Sequence, residues 1–122
     1  MKESLFQRTA FMLECTNAPY KVATVKKWID LLEKIGYNTL YYEFSSVFEV
    51  DGEPYFNYLR PNYTKEEMKE MDAYARAHGI EMIPIIQTLA HLGHIFRWRA
   101  YGQIKDIDDV FLVGEPRVYE LV

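Results

Sequence analysis

LLEKIGYNTLYY (residues 31–42) runs from the end of a helix pattern, through one glycine, into an aromatic strand pattern. AYARAHGIEMIP (73–84) repeats the same transition further along the chain. A glycine at that point can take the left-handed conformation that closes a helix, and the apolar run behind it reads as a strand. Two helix–glycine–strand exits in one chain are the grammar of repeated β/α units, which build parallel strands with helices outside them.

Working outward, VATVKKWIDLLEKIG (22–36) places Val22, Val25, Ile29, Leu32 and Ile35 at helical spacing. Lys26, Lys27, Asp30, Glu33 and Lys34 fill the rest of that helix. The second helix opens on TKEE (64–67), a capping box in which Thr64 caps and Glu67 reaches back. Its apolar stripe is Met68, Met71 and Ala75, and Gly79 ends it. AFMLEC (10–15), NTLYYEF (38–44) and IEMIPII (80–86) are the strand candidates. They are apolar throughout rather than alternating, as strands buried on both faces are. Pro84 removes a ladder donor, so a strand irregularity is expected there.

SSVFEVDGEPYFNYLRPNY (45–63) is a loop of a length uncommon unless functional. It serves either as a functional rim or as a cover over the sheet. EPRVYELV (115–122) begins another helix pattern, and the chain stops inside it without a cap or polar tail. The expectation is a single domain, 1–122, cut in mid-architecture: three parallel strands do not close a barrel, and they leave two edges unpaired.

At 122 residues the chain holds one domain and not two. An apolar share of 49% with 26% charged residues is a globular balance. The net charge of −4, with the signs interspersed, argues against nucleic acid as a partner. The one cysteine, Cys15, allows no internal disulfide and reads as a buried structural thiol. No run approaches the ~18 apolar residues of a membrane span, and the N-terminus has no signal-peptide core. A cytoplasmic protein without membrane contact is expected. Ten tyrosines in a 16% aromatic chain fill either a core or a surface that is apolar on its face and wet at its edge.

PIIQTLAHLGH (84–94) ends a strand in polar groups and holds two of the chain's three histidines. His91 and His94 have i, i+3 spacing, yet a metal needs three or four ligands and no third stands nearby in sequence. No metal and no cofactor are expected, and His94 reads as a residue of a helix start. In RWR (97–99), Trp98 is either a sugar-stacking ring flanked by cations or a ring packed on the next helix.

GEPYFNYLRPNYTKEE followed by GIEMIPIIQTLAHL, in that order and spacing, resembles glycoside hydrolase family 20, in particular its bacterial β-N-acetylhexosaminidases. The likeness continues through DIDDVFLVGEPRVYELV and so covers most of the chain. It implies an α/β fold, a partial (β/α)8 TIM barrel of about the first three β/α units with a parallel sheet. The active site would then lie at the strands' C-terminal ends. The resemblance also implies a retaining, substrate-assisted hydrolysis of terminal β-linked N-acetylhexosamine, in which the sugar's own acetamido oxygen attacks the anomeric carbon.

The family's adjacent Asp-Glu pair is absent here. The acidic doublets are Glu66-Glu67, in a helix's first turn, and Asp108-Asp109, in an expected loop. Catalytic residues are therefore expected beyond Val122, and the chain alone should be inactive. What the resemblance carries over is a supporting set. His91, in LAH with Ala90 for the family's glycine, matches the histidine that supports the acidic pair. Gln87 stands where many relatives have Asp, and Glu43 matches an acid of the second strand. Arg8 resembles an arginine that holds sugar hydroxyls through its planar fork. Relatives place Asp five positions after that arginine; Leu13 stands there, with Glu14 one step later, and a one-residue slip turns a side chain to the other face. Ser45-Ser46 replaces a frequent Glu-Asp. The implied partner is an N-acetylhexosamine glycoside. The alternative is a non-catalytic carbohydrate-binding or assembly module, a homo-oligomer formed through open sheet edges.

Overall fold

The computed structural model describes residues 6–15, 18–45 and 47–122. Three strands, β1 (Ala10–Glu14), β2 (Thr39–Glu43) and β3 (Glu81–Ile85), form one parallel sheet in the order β1-β2-β3. Helix α1 (Val22–Lys34) connects the first two strands and α2 (Lys65–Ala77) the second two. Both crossovers advance in one direction, so right-handed connections put both helices on the same face. That face carries Leu13, Leu40, Tyr42 and Phe44, which pack with Val25, Ile29 and Leu32 of α1 and Met71 and Ala75 of α2. Fully burying each large aliphatic side chain there stabilises the fold by roughly 1.5–3 kcal/mol.

Both glycine exits are as the sequence suggested, down to the hydrogen bonds. Gly36 has φ 85° and Gly79 φ 69°. The Gly36 N–H bonds the Glu33 carbonyl (3.0 Å) and the Tyr37 N–H that of Leu32 (2.9 Å). After α2, Gly79 and Ile80 repeat the pattern on Arg76 (3.1 Å) and Ala75 (2.9 Å). This is the paired closure of the Schellman motif, and it drops the chain straight into the next strand. The capping box also forms, with Glu67 N–H to Thr64 Oγ1 at 3.1 Å and Thr64 N–H to Glu67 Oε2 at 2.9 Å.

Three expectations need correction. Ile35 is exposed, because it occupies the C-cap of α1, past the buried stripe. Pro84 causes no irregularity: the β2–β3 register is unbroken from Thr39↔Glu81 to Glu43↔Ile85. Glu81 and Ile85 both bond towards β2, so alternation turns the Pro84 nitrogen to the open edge, where no donor is needed. Burial on both faces holds for β2 alone; β1 and β3 are edges, and Met12 is 51% exposed.

Beyond β3 the chain departs from the repeat. A one-turn helix α3 (Gly93–Phe96), a 3-10 turn (Arg99–Tyr101), an antiparallel hairpin of β4 (Lys105–Ile107) and β5 (Val110–Phe111), and α4 (Pro116–Leu121) follow. The hairpin was not foreseen; Asp108 and Asp109 form its turn. The helix at EPRVYELV is present, with Pro116 at its start and the Glu115 side chain accepting from the Arg117 N–H. These pieces share a second apolar cluster of Leu92, Ile95, Phe96, Tyr101, Phe111 and Val118. Phe56 of the long loop belongs to it, and Phe48 packs against both clusters. The glutamate of GEPYF is the loop's polar anchor: Glu53 accepts from Tyr101 Oη at 3.1 Å and pairs with the Arg117 guanidinium.

Candidate functional site

Parallel strands deliver their C-terminal ends to one rim. There the register sets Glu14 opposite Glu43, and Glu43 opposite Ile85. Side chains two apart along an extended strand share a face, so Gln87 continues the side on which both acids stand. That side is the helix-free one, since Leu13 and Tyr42 face the helices. Glu14, Glu43, Ser45, Gln87 and His91 line a single cleft of about 240 Å³, a little under the ~300–1,000 Å³ of complete ligand pockets. Four of these residues are those the family resemblance brought forward from separate stretches of sequence. The slip at Leu13 therefore has a plain outcome: Leu13 packs under the helices and Glu14 takes the cleft.

Glu43 is the centre of the cleft. It is 6% exposed, and its Oε1 accepts from Ser45 Oγ and Gln87 Nε2, both at 3.0 Å. A carboxylate taken out of water is tolerated only with such donors. Ser45 reaches it from a left-handed conformation, φ 43°, which costs a non-glycine residue roughly 1–2 kcal/mol. Ser45 is the cleft residue that the sequence reading passed over as a mere substitution; its position two residues past the strand-end acid was the available signal. The neighbouring Ser46 lies outside the described residues.

His91 is held from a different direction. Its backbone is left-handed, φ 62°, and its exposed ring has Nδ1 3.8 Å from Asp109 Oδ2. Asp109 Oδ1 accepts the Gly93 N–H at 3.0 Å, and its carbonyl takes the Leu92 N–H at 3.2 Å. The Phe111 N–H bonds the Leu89 carbonyl at 3.0 Å. The β4–β5 hairpin thus fixes the turn that presents His91. Asp109, read from sequence as an ordinary loop acid, does this positioning.

His94 goes elsewhere. It sits in α3, half-buried, and its Nε2 has no partner among the described residues. Burial, then the Arg60 and Arg97 charges, push its pKa down to about 4, so the ring is neutral at neutral pH. The H-x-x-H spacing therefore does not make a helical pair, because His91 precedes the helix. Among the described residues no group of three or more His, Cys, Asp or Glu could hold a metal ion.

Two further candidates are not brought to the cleft. Arg8 precedes β1, at the opposite end of the strands, and pairs with Glu81 at 2.6 Å on an exposed surface. Trp98 lies past α3 against Tyr58 and Tyr55, with ring centroids 5.0 Å and 6.2 Å away. Below the rim, Cys15 is buried as expected and belongs to a polar chain inside the core. The Tyr63 hydroxyl bonds the Tyr20 carbonyl. Tyr42 Oη therefore donates to Tyr63 Oη, at 2.7 Å, and Cys15 Sγ donates to Tyr42 Oη, at 2.8 Å. Burial first raises the Tyr42 and Tyr63 hydroxyls above the usual phenol range. The network ties β1, β2 and the long loop together beneath the cleft.

Chemically the cleft offers carboxylate acceptors, an amide that both donates and accepts, a hydroxyl and an imidazole. No helix among the described residues is long and apolar enough to cross a membrane.

No family model matches the chain. Human hexosaminidase D is 26% identical over 102 residues, 84% of this chain and 21% of that protein. A crystal structure of a β-N-acetylhexosaminidase superposes with a TM-score of 0.84 at 20% identity, covering 95% of this chain and 31% of the other. The GH20 β-N-acetylhexosaminidase of Streptomyces coelicolor gives 0.82 at 19% identity, over 95% and 28%. The chain therefore spans about a fifth to a third of the length of the relatives it matches. In sequence and backbone it is a glycoside hydrolase family 20-like segment, with the fold of part of a β-N-acetylhexosaminidase.

Proposed function

We propose that this chain is one wall of the carbohydrate site of a β-N-acetylhexosaminidase-like glycoside hydrolase, built on the first three units of a (β/α)8 barrel. The observation that carries this reading is the convergence of Glu14, Glu43, Gln87 and His91 on one cleft at the strands' C-terminal rim, where barrel enzymes keep their sites. Glu43 and Gln87 present fixed acceptor and donor groups to sugar hydroxyls, and His91 supports an acidic pair supplied from outside these 122 residues. The whole enzyme removes terminal β-linked N-acetylhexosamine with retention, its Glu protonating the leaving oxygen and its Asp orienting the acetamido group. The isolated chain binds sugar weakly and does not hydrolyse it. The test is incubation of the pure chain with a chromogenic aryl N-acetyl-β-glucosaminide. No release above the uncatalysed rate is expected, and release that Glu43→Gln or His91→Ala abolishes would overturn the inactive assignment.

A second reading is favoured by the two open edges of the sheet and by Met12, exposed on the helix-free face. In it the chain is a non-catalytic module that pairs with a second copy through those edges. Sedimentation separates the two readings, since a monomer that unfolds cooperatively removes the second.

A further inference from the structure

The loops that leave the same rim carry another cluster, which the cleft does not use. Tyr55 and Tyr58 lie on the loop after β2, and Trp98 lies on the segment after β3. Ring centroids are 5.4 Å apart for Tyr55–Tyr58, 5.0 Å for Tyr58–Trp98 and 6.2 Å for Tyr55–Trp98. Tyr55 and Tyr58 are each 44% exposed, although rings this close could have closed over one another. The Arg97 guanidinium sits 4.8 Å over the Trp98 ring. Arg97 Nη2 also donates to the Tyr58 carbonyl at 3.4 Å, which engages one of the five N–H groups of the guanidinium. Arg99 joins Tyr55, Trp98 and Ala100 around an open hollow. In a chain of net charge −4, Arg97 and Arg99 set two cations beside one aromatic triplet and favour an anionic ligand.

Exposed rings stack on the apolar face of a pyranose, and an arginine fork takes a carboxylate or sulfate in two parallel hydrogen bonds. We infer that Tyr55, Tyr58, Trp98, Arg97 and Arg99 form a second saccharide subsite, which takes an acidic sugar unit linked to the one in the cleft. This rests on the reading of the cleft as a sugar wall. It adds a preference for anionic chains, which the cleft with its two glutamates cannot supply.

The test is a nitrogen-15 NMR titration of the 122-residue chain with three probes. These are a glucuronate–N-acetylgalactosamine tetrasaccharide carrying O-sulfate, the same chain without sulfate, and a neutral N-acetylglucosamine tetrasaccharide. The Trp98 indole signal reports the subsite, and the Gln87 side-chain amide reports the cleft. Saturable movement of the Trp98 signal with the acidic chains is expected. Arg97→Ala should weaken that binding about tenfold, as loss of a charged hydrogen bond does, and leave the neutral chain unaffected. Tyr58→Ala should weaken all three; both side chains are surface groups, and an unchanged thermal midpoint verifies each fold. A tenfold gap between the two acidic chains assigns sulfate, and equal binding assigns the carboxylate. A Trp98 signal unmoved while Gln87 shifts overturns the subsite and keeps the cleft; the reverse overturns the cleft and keeps the subsite. Self-association that Tyr58→Ala abolishes, with no sugar response at Trp98, makes the patch a protein contact and overturns the inference.

Discussion

The two halves of this molecule are held by different kinds of pattern. Residues 10–85 repeat one unit: a periodic helix, a glycine exit and an apolar strand, and all three strands share one sheet. Residues 86–122 contain no element longer than six residues, and their order comes from side chains meeting across the chain. The first half is stabilised by a continuous layer between sheet and helices, and the second by a cluster joined to it through Phe48. Local periodicity suffices for the first kind. The second exists only once the loop, the turn and the hairpin are in place together.

Core truncations test that contrast most strongly. Ile29→Ala and Ile95→Ala both empty fully buried positions, and each should cost about 3 kcal/mol. The consequences should differ: Ile29→Ala lowers the global melting transition. Ile95→Ala loosens residues 86–122 while the amides of α1 and α2 stay protected, as hydrogen exchange would show. If Ile95→Ala strips protection from α1 equally, the molecule has one cooperative unit and the division fails.

Tyr42→Phe should cost about 1–2 kcal/mol despite its small change in volume, because it leaves the Cys15 thiol and the Tyr63 hydroxyl short of a partner in the core. Denaturant unfolding measures it, and a loss below the experimental scatter would mean that water replaces the link. Thr64→Ala removes the cap of α2 and should cost about 1 kcal/mol, read in the same experiment as a smaller shift of midpoint.

The second half carries a pH dependence of its own. His94 has its folded pKa pushed down to about 4 from an ordinary 6.5. Between those values the unfolded chain binds the proton and the folded one does not, so this contribution is full above pH 6.5 and is lost as pH falls towards 4. With the ring only partly buried, it should amount to about 1 kcal/mol. Comparing wild type with His94→Gln across that window isolates it; parallel curves would show that His94 is solvated in the folded state.

How far the sequence could be read follows the same division. Gly36, Gly79, Thr64 and Glu67 act through their own neighbours, so their parts in the helix ends were visible without a structure. Ile35 misled because a helical period does not say where the last turn stops. Pro84 misled because an edge strand has a side on which a donor is not needed. The cleft was legible only through the family likeness, since Glu43, Gln87 and His91 come together by strand register and by a turn that the hairpin holds. Asp109 could not be recognised before the hairpin was known, and Ser45 only through its closeness to Glu43. Arg8 stands apart from the cleft because it precedes β1, whose far end presents Glu14.

The central claim is that Glu43 and Gln87 form a sugar-facing pair. It is tested most directly by titrating the nitrogen-15-labelled chain with N-acetylglucosamine while following the Gln87 side-chain amide. A saturable shift that Glu43→Ala abolishes, with the fold intact by circular dichroism, is the result expected. An amide that stays in place up to the solubility of the sugar, or shifts equally in Glu43→Ala, would contradict it.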